Sequence, residues 1–404
     1  MRILLSEGAS TSAREAITAL GLRGHHVEIC DPDPHCLGRF SRFVRKFHRC
    51  PPLGAEPRRY LDFILERISG GRFDVLLPIH EQGFLFAKMR ERIEPHVAIA
   101  LPGFESYRQA HSKLGFSNIL TELGLPQPAT RVVASVRELA DVKRPPMVLK
   151  SPVGTASRGT WMVRNEQDLQ QALREIEAAG GFADGLLVQD IVEGEHRQAQ
   201  AVFARGRLIA SHAYRQIARG GGGGASRKES VSHADVREHL ARIGAHLHWH
   251  GALSVDYIVA AGVPHYIDCN PRLVEPMSAV LAGVDLVEIL LLVSRGEVPA
   301  GAESSAGVRS HLAVQALLGC AARDDSRASV LRECWRLLAR QAPYAGSREE
   351  LTPVMLDWLS FIPPTVTALW LMAKPAAAHD LPRRGWGAHL LTPQTIRTIQ
   401  SMGD

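Results

Sequence analysis

Asp268, Asn270 and Arg272 stand at alternate positions in the stretch YIDCNPR, residues 266–272. Alternate side chains of an extended strand share a face, so an acid, an amide and a cation would line one side. Carboxylate and amide oxygens are hard donors suited to Mg²⁺, and a guanidinium suits a phosphate or a carboxylate. An exposed surface strand would carry the same residue types, so the chain upstream has to decide. There, ALSVDYIVA (252–260) and AGV (261–263) read as a strand and a short glycine-containing hairpin loop. With 261–263 as the loop, Asp256 pairs across from Asp268, and Asp256, Ile258, Tyr266, Asp268 and Asn270 share a face. Facing carboxylates repel each other unless a cation lies between them. The spacing therefore predicts a divalent metal held by Asp256, Asp268 and Asn270, Mg²⁺ with Mn²⁺ as the alternative, carrying nucleotide phosphates.

Further upstream are other groups that could meet phosphate. Lys150 ends the strand-like MVLK and is followed by SPVGTASRGT (151–160), which contains Ser157 and Gly159. Small residues let backbone N–H groups approach an anion, and Lys150 adds a point charge. Lys113 lies early in a helical run, and LLVQDIVEGEH (186–196) offers an apolar strand with Gln189 and Asp190 at its end. Other residues are set aside. His246, His248 and His250 continue a helical pattern in which i and i+2 do not face each other, so a zinc site is not expected. Cys269 has the opposite parity to its acidic neighbours and reads as core. No nucleophile-elbow motif supports Ser-His-Asp chemistry.

The elements that must hold these residues are legible in outline. The chain has 404 residues, 45% hydrophobic and 22% charged, enough for two or three domains with their own cores. A net charge of +5 without a dense basic stripe argues against a nucleic-acid partner. The basic run Arg39–His48 reads as an amphipathic helix. Six cysteines with no C-x-x-C pair suggest reduced thiols and a cytoplasmic protein. MRILLSEGAS reads as a first strand and is too short for a signal peptide. Strands alternate with helices over residues 1–105, predicting a parallel sheet with crossover helices. The second domain, 106–307, opens on a helical run over 107–124 and turns β-rich from 147, and 308–404 read as an α-helical C-terminal region. Within it, the uncharged Trp358–Ala373 falls short of a membrane span and contains two prolines. A buried helix or an interface patch is favoured there, and membrane contact disfavoured. ARGGGGGASRK (218–228) has the composition of a mobile loop, one that could serve as a lid.

Taken in this order, the motifs resemble the ATP-grasp superfamily. KSPVGTASRG, QDIVEGEH and DCNPR match its phosphate loop, its inter-lobe linker and its terminal metal-and-cation motif, and the likeness spans about residues 1–310. It implies an α/β and α+β architecture: an N-terminal parallel-sheet domain, a two-lobed ATP-grasp domain and the C-terminal helices. It implies that Lys113 and Lys150 contact ATP phosphates, with Ser157 and Gly159 in the loop over them. Gln189 and Asp190 would close the adenine pocket, with Gln189 on the amino group and the backbone around Val192 against the ring. Glu195 or His196 would hold the ribose. Asp256, Asp268 and Asn270 become Mg²⁺ ligands. Arg272 and Lys150 become the catalytic cations. The implied activity is ATP-dependent joining of a small-molecule carboxylate to an amine through an acylphosphate. A carboxylase or carbamoyl-phosphate-type enzyme phosphorylating bicarbonate, and a non-catalytic ATP-binding regulator, are the alternatives. Glu81, at a strand end in the first domain, is the candidate amine contact. A homodimer is compatible with the sequence.

Overall fold

RILL, HVEICD and VLL are short apolar runs separated by helical segments, and they fold as parallel strands. In the computed structural model β1 (Arg2–Leu5), β2 (His26–Asp31), β3 (Val44–Arg49) and β4 (Val75–Leu77) form one parallel sheet in the order β3-β2-β1-β4. Parallel strands need crossovers, which the helices Thr11–Leu22 and Pro57–Ile68 supply. The structure describes every residue except 143, 155–158, 179, 352–355, 382–386 and 404, so Ser157 lies outside the described residues. The run Arg39–His48 is not the helix its spacing suggests: after a short 3₁₀ turn it becomes β3. β3 is the outermost strand, and its exposed Arg45, Lys46 and Arg49 blunt that edge against further pairing.

A second, antiparallel sheet runs β5-β8-β6-β7 from β5 (Thr130–Val133), β6 (Met147–Lys150), β7 (Thr160–Val163) and β8 (Leu186–Gln189). Its apolar face closes over a small core that includes Leu149, Val163 and Val188. The third sheet is the largest, eight strands in all. β9 (Glu195–Ala204), β10 (Arg207–Arg219), β11 (Ala225–Val231), β12 (Gly251–Ala260) and β13 (Val263–Asn270) run in the order β13-β12-β9-β10-β11. Three short strands complete it: β14 (Ala302–Glu303) beside β10, β15 (Arg309–His311) beside β11, and β16 (Arg348–Glu349) beside β15. The C-terminal region, helical as expected, thus also lends strands to the edge of this sheet.

The five glycines 220–224 do not form an open loop. They make the turn of the β10–β11 hairpin, with the Gly220 N–H donating to the Gly224 carbonyl at 2.7 Å. The turn packs on the helix Ala313–Asp324, where a Cβ on Gly220 would lie 2.7 Å from the Gln315 side chain. Of the flanking cations, Lys228 is buried inside the protein and faces no cleft.

Lys228 is the centre of a charged cluster where the three parts of the chain meet. Its Nζ donates to Glu275 at 2.5 Å and to Glu350 at 2.7 Å, and it lies 5.1 Å from the Tyr214 ring centroid. Thr11 Oγ1 donates to the other Glu275 oxygen at 3.1 Å, and Ser310 Oγ to the other Glu350 oxygen at 2.5 Å. Glu15, on the first helix, accepts from the Met277 N–H at 2.8 Å through one oxygen, while the other has no partner. Burial, then the neighbouring Glu350, pushes the Glu15 carboxyl well above its ordinary range. A second buried pair, Arg14–Asp357 at 2.9 Å, joins the same first helix to the C-terminal region.

The last described stretch returns to the first sheet. His389 Nε2 meets Asp31 at 3.0 Å, the Gly54 N–H donates to the Ala388 carbonyl at 2.9 Å, and the Leu391 N–H donates to Glu81 at 2.7 Å. Residues 387–400 therefore cover the carboxyl ends of the parallel strands.

Candidate active site

The β12–β13 hairpin carries the acidic pair. Its loop has two residues, not three: Ala260 pairs with Val263, and Ala261 and Gly262 both take positive φ. Such a turn matches the twist of the flanking strands. Taken alone it would shift Asp256 away from Asp268, but the register slips once more between Asp256 and Tyr257. Ile267 is the extra residue of a bulge, and Asp256 lies directly opposite Asp268 after all. The bulge also corrects the expected face. Tyr266 pairs with Tyr257 and lies in the core with Cys269, away from the acids.

Bulging frees the Ile267 carbonyl, and Lys150 Nζ donates to it at 2.6 Å. Lys150 ends β6 in the second sheet, so this bond spans the two lobes. Burial lowers its ammonium to about 8, with Asp268 and Asp256 holding it up and Lys113 pressing it down. Lys113 stands at the start of the helix Lys113–Glu122, whose cap is the Ser112 hydroxyl. What reads as one helical run from 107 is two helices, broken at Ser112. The break aims Lys113 into the cleft, where Nζ donates to the Gly154 carbonyl at 2.5 Å and lies 3.4 Å from Asp268.

Asp256 accepts from Gln198 at 2.8 Å and from the Asn270 amide at 3.3 Å. Asn270 Oδ1 accepts from Arg272 at 3.2 Å. Burial, then Asp268, raises the Asp256 carboxyl to about 6, against the Gln198 hydrogen bond, Arg272 and Lys150. Two half-buried carboxylates set across one ladder suit a hard divalent cation, because it would relieve the repulsion between them. Rotating the Asn270 amide by half a turn would present its oxygen to the same point.

Past Asn270, Arg272 faces a cleft between the parallel-sheet domain and the hairpin, lined by His80, Glu81, Tyr107, His111, Asn270 and Arg272. Its free volume is about 20 Å³, room for one water. Burial lowers the Arg272 guanidinium, while Glu81 and Tyr107 raise it. Burial brings the His111 imidazole down to about 4, so it is neutral at pH 7. The Tyr107 hydroxyl is buried and makes no hydrogen bond. Glu81 lines this cleft as expected, but one of its oxygens accepts from Leu391.

The remaining expected residues gather on the other side of the cleft. Gly159, at φ +68°, accepts the Ser151 N–H on its carbonyl at 2.8 Å and closes the β6–β7 loop. Gln189 is buried at the end of β8, its amide donating to Thr130 at 2.9 Å. Asp190 is exposed, with its N–H on the Ala129 carbonyl at 3.0 Å, and Val192 is half-buried in the connector that follows. Gly194 has to be glycine, since a Cβ there would lie 2.2 Å from the Val259 carbonyl oxygen. Glu195 and His196 part company at the start of β9. Glu195 pairs with Arg197 at 2.5 Å and Arg215 at 3.2 Å. His196 has the parity of Gln198, which faces Asp256, and lies 3.3 Å from Arg219. Gln198, Tyr107 and His111 escaped the sequence reading. Gln198 could have been found by pairing β9 with β12, whereas no local signal marks the other two.

Residues 110–276 match the family model for the ATP-grasp domain. Carbamoyl phosphate synthase large chain of Thermus thermophilus is 24% identical over 208 residues, which is 48% of this chain and 20% of that protein. The chain thus spans about a fifth of that relative's length. N5-carboxyaminoimidazole synthetase from Staphylococcus aureus, solved with ADP, superposes with a TM-score of 0.60 at 14% identity, covering 74% of this chain and 79% of that one. L-amino acid ligase from Bacillus licheniformis gives 0.55 at 15% identity, covering 74% and 78%.

Proposed function

The chain belongs to the ATP-grasp superfamily, and from that premise we propose that it is a Mg²⁺- and ATP-dependent ligase joining a carboxylate to an amine. The observation that carries this reading is the line Asp256/Asp268–Asn270–Arg272, which runs from the bridge between the two lobes into a cleft of mixed charge. In this proposal Lys113 and Lys150 bind the ATP phosphates, and the β6–β7 loop with Gly159 covers them. Gln189, Asp190 and Val192 receive the adenine. His196 meets the ribose in preference to Glu195, whose carboxylate is held by two arginines. Asp256, Asp268 and Asn270 hold Mg²⁺, which when bound supplies charge neutralisation for phosphoryl transfer.

Arg272 positions the substrate carboxylate. One of its oxygens attacks the γ-phosphorus in line and ADP leaves, giving the acylphosphate. The amine then attacks the acyl carbon, phosphate departs, and one proton is released. Lys150 and Arg272 act by charge, and no enzyme nucleophile is needed. Glu81 is the group that would meet an ammonium at the cleft wall. The six cysteines are all free, which supports a reducing, cytoplasmic setting.

The test is ADP release with pooled amino acids and carboxylic acids, with bicarbonate, and with neither, followed by mass analysis of products. The proposal expects ADP release that depends on both an amine and a carboxylate, with an amide product. Release driven by bicarbonate alone would transfer the protein to the carboxylase class. Nucleotide binding without turnover would make it a regulator.

A further inference from the structure

The uncharged segment Trp358–Ala373 is not a buried helix. A 3₁₀ turn (Trp358–Phe361) leads into the helix Ile362–Ala373, and only Ser360 and Leu371 of this stretch are buried. Trp358 is 66% exposed and Leu369 66%, with Phe361, Val366 and Trp370 close behind. The neighbouring helix Arg327–Leu338 behaves the same way. It turns Val330, Cys334 and Leu337 to the helix Ala313–Asp324, and it sets Leu331, Trp335 and Leu338 outward. The two helices are tied by Arg327 donating to the Ala373 carbonyl at 3.2 Å. A helix apolar on its outer face needs an apolar neighbour.

Charge identifies the neighbour. Among the described residues from Ser326 to Ala378, every exposed charged side chain is a cation: Arg327, Arg332, Arg340, Arg348 and Lys374. The acids of this stretch, Glu333, Glu349, Glu350 and Asp357, are buried or half-buried. A two-fold contact between copies would set these arginines against their own kind. The outer stripe also offers little hydrogen bonding for a specific protein partner. We propose that this face docks on an anionic lipid bilayer, with the tryptophans at headgroup depth and the cations on acidic headgroups. The helix of 12 residues is about 18 Å long, too short to span, so it lies in the interface. The membrane contact that the sequence disfavoured is thus what the exposed side chains favour. The buried Arg14–Asp357 pair fixes the base of the segment to the parallel-sheet domain, so docking would orient the whole ligase on the membrane.

The experiment is flotation of the full chain with vesicles of equimolar phosphatidylglycerol and phosphatidylcholine, beside phosphatidylcholine alone. The double substitution Trp358→Ser with Leu369→Ser alters two exposed positions, and its thermal melt checks the fold. Expected are binding to the anionic vesicles only, at least tenfold weaker binding by the variant, and release by 0.5 M salt (roughly a 4 Å screening length). Arg332→Glu should weaken binding several-fold without touching an apolar contact. Absence of binding at low salt, or equal binding by the folded variant, overturns the proposal. So does a dimer in sedimentation that the double substitution dissociates, which would assign the face to a second copy.

Discussion

Two clusters in this protein are built from the same residue types and do opposite things. In the cleft, the buried Lys113 and Lys150 stand beside the half-buried Asp256 and Asp268, and the Lys113–Asp268 pair is 3.4 Å long. Around Lys228, one ammonium and three carboxylates are sealed away, with bonds of 2.5 and 2.7 Å. The first cluster keeps its two acids half-buried, as the proposed metal and phosphate site would require. The second uses up its charges internally and can only hold the chain together. What separates a site from a weld here is whether the charge has somewhere left to go.

The comparison breaks most visibly at Lys228. Lys228→Met would leave Glu15, Glu275 and Glu350 buried without a cation, a loss of about 3–5 kcal/mol, typical of a broken buried ion pair. Urea unfolding should show it, while activity per folded molecule survives at low temperature. Unchanged stability would mean that the cluster is no weld. The mirror substitution is Asp268→Asn. It should cut ATP turnover by about 10²–10³-fold, the range for removing one preorganised charge partner, and leave the urea midpoint nearly where it was. Wild-type turnover at limiting Mg²⁺ would remove Asp268 from the metal site. The smallest effect concerns Glu15. Its folded-state pKa is raised, so the folded protein holds a proton that the unfolded chain gives up. The stability this provides is complete below the unfolded value near 4.5 and is lost as pH rises through the folded pKa. Glu15→Gln keeps the neutral form at every pH. Its melting temperature should match wild type in acid and exceed it slightly at pH 7–8. A variant less stable at pH 8 would show that Glu15 works as an anion.

The sequence foretold the Asp256–Asp268 pairing, but for an incomplete reason. A two-residue turn and a bulge at Ile267 cancel, and only the pairing of whole strands reveals the second. Parity placed Cys269 in the core, and by the same logic misplaced Tyr266, because the bulge lies between them. Composition misread the glycine run, since its conformation is set by β10, β11 and the helix against which it packs. Arg39–His48 has apolar residues at spacings that suit a helix as well as a strand, and the edge of the sheet decided. The Lys228 cluster joins residues 15, 228, 275 and 350, and no local pattern links positions so far apart. The exposed tryptophans were visible as residues, but whether Trp358–Ala373 faces inward depends on what packs beside it.

The closing stretch at His389 has a consequence for how the chain is made. β1, β2 and the turn at Gly54 leave the ribosome more than 300 residues before Ala388, His389 and Leu391 reach them. At about 5–20 residues per second that is a delay of roughly 15–60 s. Through that interval the carboxyl ends of the first sheet can pack their helices but cannot gain their cover. The parallel-sheet domain is therefore finished only when residues 387–391 arrive, and a chain stalled before residue 387 would present an open crevice to the cell's quality-control machinery. Pulse-labelled nascent chains should gain protease resistance around Asp31 only once residues 387–391 have left the ribosome.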